Sequence, residues 1–173
     1  MATEHPPLAL RAPRHAVHER ARRWWTVQAL VVLSGPMLLT ALTLLVLSVL
    51  FFPAALGWLG PLLLVTLILP AVLYLVAMPR WRYRVHAWEL GDSSVYAASG
   101  WFWQRRRIAP MSRVQTVDTV RGPIQQAFGL ATVVVTTAST AGDVTIAGLA
   151  EDDAEELARR IGAGAESVPG DAA

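Results

Sequence analysis

The chain has no cysteine, no lysine and no asparagine. Without cysteine there is no disulfide, no thiolate nucleophile and no Cys-ligated zinc. Without lysine there is no phosphate-loop Lys and no Schiff-base Lys. Without asparagine there is no N-glycosylation acceptor. Charge is scarce as well: 16% of residues are charged, and all 15 basic ones are arginine. What is abundant is apolar. Of 173 residues, 54% are hydrophobic, and the mean hydropathy is positive. Such a composition points to a membrane protein, and the length allows one modest domain plus an anchor.

Between Arg23 and Arg80 no residue is charged, a stretch of 56 residues (24–79). About 20 apolar residues cross a bilayer as a helix, so this stretch holds two spans. It divides at Pro53-Ala54-Ala55-Leu56-Gly57-Trp58-Leu59-Gly60-Pro61, where two Pro and two Gly fall within nine residues. The reading is a transmembrane helical hairpin over 26–79, with spans near 26–52 and 57–78 and a short loop near 53–58. Pro36 predicts a kink in the first span. Ser34, Thr40, Thr43 and Ser48 either bond back to their own helix or face the second span. No charge lies inside, so nothing suggests a proton or ion relay. Arg22-Arg23 ahead of an apolar run resembles a secretion signal. However, the run is long for a signal core, and a second span follows.

Arginine sets the expected orientation. Arg11, Arg14, Arg20, Arg22 and Arg23 precede the first span, Arg80, Arg82 and Arg84 follow the second, and the loop between has no charge. Positive flanks stay cytoplasmic. Both termini are therefore expected in the cytoplasm, as in a multi-pass protein of the cell membrane. Arg22, Arg23, Trp24, Trp25, Arg80, Trp81 and Arg82 become anchors at the inner interface, and Trp58 marks the outer one. Residues 1–25 read as a basic cytoplasmic tail, disordered from Met1 to Leu10 and helical from Pro13. That helix would place Arg14, His15, His18 and Arg22 on one face. The face either meets anionic headgroups or only sets topology. His15 and His18 have helical metal spacing, but no carboxylate beyond Glu19 converges on them, so no metal is expected.

Residues 80–162 read as a cytoplasmic α+β domain. Trp81 to Leu90 is a candidate strand, with a turn at Gly91-Asp92-Ser93 and a return over Ser94 to Ala98. Trp101 to Ala109 is the next strand, and Val114 to Val120 alternates with period two. Ile124 to Phe128 is a helical turn ended by Gly129. Leu130 to Thr137 is β-branched. A hairpin turn at Ala141-Gly142-Asp143 leads to a last strand, Val144 to Ala147. The final helix, Glu151 to Ile161, has an apolar face of Ala154, Leu157, Ala158 and Ile161. Its acidic start and basic end suit the helix dipole, with Glu155–Arg159 and Glu156–Arg160 as i, i+4 pairs. Gly162 is expected to stop it, leaving 163–173 as a disordered tail. Antiparallel strands followed by one helix make a curved sheet or open barrel closed by that helix.

Several motifs occur in order: Tyr83-Arg84-Val85, then Ser99-Gly100-Trp101-Phe102-Trp103 with Arg105-Arg106-Arg107-Ile108-Ala109-Pro110. Arg113-Val114-Gln115-Thr116-Val117-Asp118 follows, then Gly122-Pro123-Ile124-Gln125, Phe128-Gly129-Leu130-Ala131-Thr132, and Gly148-Leu149 before the acidic helix. After two spans, these resemble the bacterial pleckstrin-homology-like domain of YdbS-like membrane proteins, over residues 18–162. The resemblance implies a pleckstrin-homology-like barrel at the cytoplasmic membrane face and a membrane-protein partner of the same family; it does not imply an enzyme. Lipid binding does not follow from such a fold alone. One departure is Ala150, where a capping Ser or Thr is expected; its absence costs about 1 kcal/mol.

The candidate surface is Arg105, Arg106 and Arg107 with Trp101 and Trp103. Strand alternation puts Arg105 and Arg107 on one face and Arg106 on the other. Arg forks suit phosphate oxygens and Trp suits the membrane interface. Lipid headgroups, a protein interface and a merely solvated strand end all remain open for it. Nucleic acid is not expected, because 80–173 carries 10 Arg against 11 Asp plus Glu. Asp118 is expected to pair with Arg113 or Arg121. His86 is expected as a partly buried strand residue, and Trp88, Trp101 and Trp103 as packing rather than ligand stacking. No catalytic residue, cofactor or metal is expected. The function read from the sequence is a non-enzymatic, membrane-anchored binding or scaffold module, contacting inner-leaflet lipid or a partner membrane protein. The alternative is an accessory subunit of a transport or export complex linked to tolerance of toxic compounds.

Overall fold

The computed structural model describes residues 13–138 and 142–167. The expected disorder of Met1–Leu10 and of 168–173 lies outside the described residues. Helix α1 runs Arg20–Phe51. A second continuous rod, Pro53–Val85, returns beside it. The rod consists of a 3-10 turn at Pro53–Ala55, α2 (Leu56–Leu63), a π-helical segment at Leu64–Ile68 and α3 (Leu69–Val85). Both rods carry windows of mean hydropathy 2.4, of which 0% and 6% is buried. A soluble core helix would bury such a window; these turn Leu, Val and Phe outwards.

Both rods outrun the expected spans, and the expected loop near 53–58 shrinks to a turn at Phe52. Phe52 leaves the helical region at φ −137° and ψ 63°, and Pro53 restarts the helix at once, as Pro at a first turn can. The π-helical segment stands just ahead of Pro70, which has no N–H to offer the Thr66 carbonyl. The hydroxyls of Ser34, Thr40 and Thr43 bond to carbonyls of their own helix at 2.8–2.9 Å.

Past the rods lie two antiparallel sheets. The first has the order β1 (His15–Ala16), β2 (Ala87–Leu90), β3 (Ser94–Ser99), β4 (Arg105–Pro110). The second has the order β5 (Val114–Val120), β6 (Leu130–Thr137), β7 (Val144–Ala150). A short turn, Met111–Arg113, passes from β4 to β5, and no pairing joins those strands into a ring. The expected barrel is therefore two sheets on a shared core. Val95 and Ala97 come from the first sheet, Val133, Val135 and Ile146 from the second, and Leu157 and Ile161 from the covering helix α5 (Glu151–Ser167).

Several elements depart from the sequence expectation. Trp81–Val85 is helical, not strand, and the His86 N–H closes the last turn on the Arg82 carbonyl at 3.0 Å. Once nucleated, a helix propagates at one hydrogen bond per residue, and this outweighs the β-propensity of Trp, Tyr and Val. The chain from Pro13 forms strand β1 rather than a helix. His15 opposes Trp88, their rings 5.0 Å apart. This pairing separates His15 from any shared helical face with Arg22. β4 begins only at Arg105, and β7 extends to Ala150.

The short helix α4 (Pro123–Ala127) ends as expected at Gly129, where φ is 62°. Helix α5 does not stop at Gly162. It continues to Ser167, so 163–167 are helical rather than tail. Gly164 there packs on Met111, leaving only van der Waals room for a Cβ. The uncapped Ala150 is offset by the Gly129 carbonyl, which accepts the Glu151 N–H at 3.2 Å. Glu156 takes both Arg159 (2.8 Å) and Arg160 (2.7 Å), so Arg159 does not turn to Glu155. Asp118 is exposed, accepts from the Thr116 hydroxyl at 3.3 Å, and among the described residues pairs with neither Arg113 nor Arg121. Arg121 instead pairs with Glu151.

Candidate membrane-contact face

The feet of the two rods belong to the domain. Val17, Ala21, Trp24, Trp25, Ala29, Met78 and Leu130 form a second core where α1, α3 and β6 meet. Five of these seven residues, Val17, Ala21, Trp24, Trp25 and Ala29, lie on or just ahead of the first rod, so that rod is part of the core of the domain. Trp24 and Trp25, expected as interface anchors, are 8% and 0% exposed. They are buried because α1 runs on below the apolar segment and must cover its apolar face with the sheet. Trp81 is 57% exposed and remains an outward aromatic. Arg22 lies over the Tyr83 ring at 5.7 Å. Together with Arg20, Arg23 and Arg80 it lines a cleft between α1 and α3.

The β3–β4 hairpin carries a cluster of exposed aromatic side chains. Gly100 has φ +114°, and a Cβ there would clash with the Trp103 carbonyl oxygen. This reversal takes Trp101, Phe102 and Trp103 out of the strand expected of them. Phe102 and Trp103 are 72% and 77% exposed. Trp101 sets its ring edge-on to Tyr74 at 5.5 Å. Tyr74 lies six residues before Arg80 on α3, about 9 Å further along the helix at 1.5 Å per residue. The loop thus lies against the apolar part of the rod.

The arginine triplet is divided. Arg105 and Arg106 are exposed at the start of β4. Arg107 donates to the Asp143 carbonyl on the β6–β7 connection, and its Nη1 abuts Gly142, where φ is +81°. Of the expected set, Trp101, Trp103 and Arg105 are brought together around one cleft, and Arg106 and Arg107 do not line it. Arg82 and His86 join that cleft from the end of α3.

Arg82 and His86 were legible only as an interface anchor and a strand residue. The Arg82 guanidinium stacks over the Trp25 ring at 4.7 Å. His86 is 4% exposed and lies 4.8 Å from Trp25. Its Nδ1 is 2.8 Å from the Arg82 carbonyl, which can only accept, so Nδ1 carries the proton. Burial, opposed by that hydrogen bond and reinforced by the Arg82 charge, lowers the His86 pKa to about 4. Their i, i+4 spacing was the one signal in the sequence that could have linked them. Among the described residues no group of three or more His, Cys, Asp or Glu could hold a metal ion.

A bacterial PH domain family model matches residues 28–165, most of both rods and the whole of both sheets beyond β1. The chain belongs to the bacterial PH domain family. This PH-domain chain is also 30% identical over 142 residues to the UPF0699 transmembrane protein YdbS of Bacillus subtilis (strain 168). The match covers 82% of this chain and 87% of that protein. No solved structure matches it significantly. The resemblance read from the ordered motifs is thus confirmed, and the PH-domain chain is a membrane protein with two apolar rods.

The lowered pKa of His86 is expected to make the PH domain acid-sensitive. Its folded pKa lies below the unfolded value of about 6.5, so the unfolded chain binds the proton more readily. The contribution is intact above pH 6.5 and is lost as pH falls towards 4. At about 1.4 kcal/mol per unit this amounts to roughly 3 kcal/mol. Thermal unfolding of the whole protein in mild detergent should show a smaller loss between pH 7 and pH 4 for His86→Phe than for the wild type. Equal losses would remove His86 from the account.

Proposed function

We propose that this chain is a non-enzymatic, two-span anchor that holds its PH domain on the cytoplasmic membrane face, with both termini cytoplasmic. There the Trp101–Trp103 loop enters the inner leaflet. The observation that carries this reading is the exposed Trp-Phe-Trp loop beside Tyr74 on an apolar rod. Aromatic rings favour the interfacial zone, and Arg105 and Arg106 follow at the level of the headgroups. The arginine flanks of both rods support the orientation. The rod hydroxyls, bonded to their own helices, favour an anchor over a transport path.

The test uses the full chain in vesicles doped with a lipid carrying a photoreactive group on its acyl chain. Cross-links should map to Gly100–Gln104 as well as to the rods. Cross-links on the rods alone would overturn the lipid contact. A second reading is a partner membrane protein of the same family. It is favoured by the open edge of β5, where Thr116, Asp118 and Val120 are exposed. Stoichiometric co-purification of such a protein in mild detergent is its test.

A further inference from the structure

We propose that the cleft between the end of α3 and the β3–β4 loop binds one phosphate group, that of an anionic lipid headgroup, with Arg82 and Arg105 as its ligands. The cleft measures about 350 Å³. A water molecule occupies about 30 Å³, so a phosphate ester has ample room. Its walls include Arg82, His86, Ser99, Trp101, Arg105 and Thr145. No Asp or Glu is among them, so the cleft holds two cations and no internal counter-charge.

Arg82 is the decisive group. Its Nε is buried and has no hydrogen-bond partner. No carboxylate pairs with it among the described residues. The Trp25 face supports the guanidinium from one side only. A partly buried cation with unmade hydrogen bonds is costly, and an anion in the cleft relieves that cost. The planar fork of Arg suits two phosphate oxygens. Ser99 and Thr145 add hydroxyl donors at the rim.

The choice of a lipid rests on the membrane contact proposed above. The cleft is bordered by the same Trp101–Trp103 loop, so a headgroup held by Arg82 leaves its acyl chains beside Tyr74. Soluble phosphate has the same chemistry and is the competing source.

Native mass spectrometry of the full chain in mild detergent separates these possibilities. The probes are phosphatidylglycerol, phosphatidylcholine and inorganic phosphate. The wild type should retain one phosphatidylglycerol in preference to phosphatidylcholine. Arg82→Gln should lower that retention roughly tenfold or more, the value of a charge-assisted hydrogen bond. Unchanged retention in Arg82→Gln overturns the pocket. Should that variant not fold, the exposed Arg105→Gln replaces it, and unchanged retention there has the same meaning. Saturable inorganic phosphate that phosphatidylglycerol does not displace overturns the lipid assignment. Acyl-chain cross-linking to Gly100–Gln104 reports on the loop separately. If it persists in Arg82→Gln with retention unchanged, the pocket fails and the membrane contact stands.

Discussion

Trp25→Ala is expected to destabilise the protein by about 3–5 kcal/mol, the usual cost of deleting a large buried ring. Trp25 is the largest fully buried side chain among the described residues. It sits at the foot of α1, where that helix, α3 and β7 converge. Arg82 stacks on one face, the His86 ring lies 4.8 Å away, and Gly148 approaches its Cζ2. Alanine would open a cavity there and strip the guanidinium of its support. In a chain of this size the midpoint should fall by roughly 6–20 °C. Thermal unfolding in mild detergent measures it, with Trp25→Phe as the control that keeps a ring and should lose less than half as much. A midpoint within 2 °C of the wild type would mean that the foot of α1 is not part of the domain core.

Gly148→Ala should cost about 2–5 kcal/mol, from two separable causes. Gly148 is the extra residue of a β-bulge. Leu149 opposes Ala131 and Ala147 opposes Thr132, leaving Gly148 unmatched. Its φ is +85°, and a Cβ there would lie 2.8 Å from the Ala21 Cβ. The left-handed conformation contributes about 1–2 kcal/mol for an L-residue, and overpacking contributes about 1–3 kcal/mol more. The Gly148 carbonyl also accepts the His18 N–H at 2.9 Å, so the bulge ties the incoming chain to the sheet. Pairing Gly148→Ala with Ala21→Gly should recover the steric part and leave the conformational part. A double variant no more stable than Gly148→Ala alone would refute the close approach as a cause.

Much of the architecture is legible along the chain. Two apolar rods follow from 56 uncharged residues divided by Pro and Gly. β3, β5, β6 and α4 follow from alternation and turn chemistry, because those signals depend on near neighbours. The misplaced elements lie where distant parts of the chain compete. Trp81–Val85 has strand composition, yet it continues a helix already formed. Trp101–Trp103 has strand composition too, but Gly100 reverses the chain and Tyr74 offers a surface. Residues 13–18 read as a helix in isolation, yet β2 presents an open edge and takes two of them as β1. Gly162 reads as a stop, and Met111 packs the helix beyond it.

The candidate site divides in the same way. The sequence by itself determined the apolar anchor, the all-arginine cation set, the family membership carried by ordered motifs, and the Trp-x-Trp-x-Arg character of the β3–β4 segment. Only the tertiary structure decided which of those groups meet. It buried Trp24 and Trp25, withdrew Arg107 to the Asp143 carbonyl, and placed Arg82 on the same cleft as Arg105, 23 positions away in sequence. The reason is physical: composition and periodicity report a residue's preference for apolar or aqueous surroundings. Which partner lies opposite depends on how α1, α3 and the sheets close over one another, and no local pattern encodes that distance.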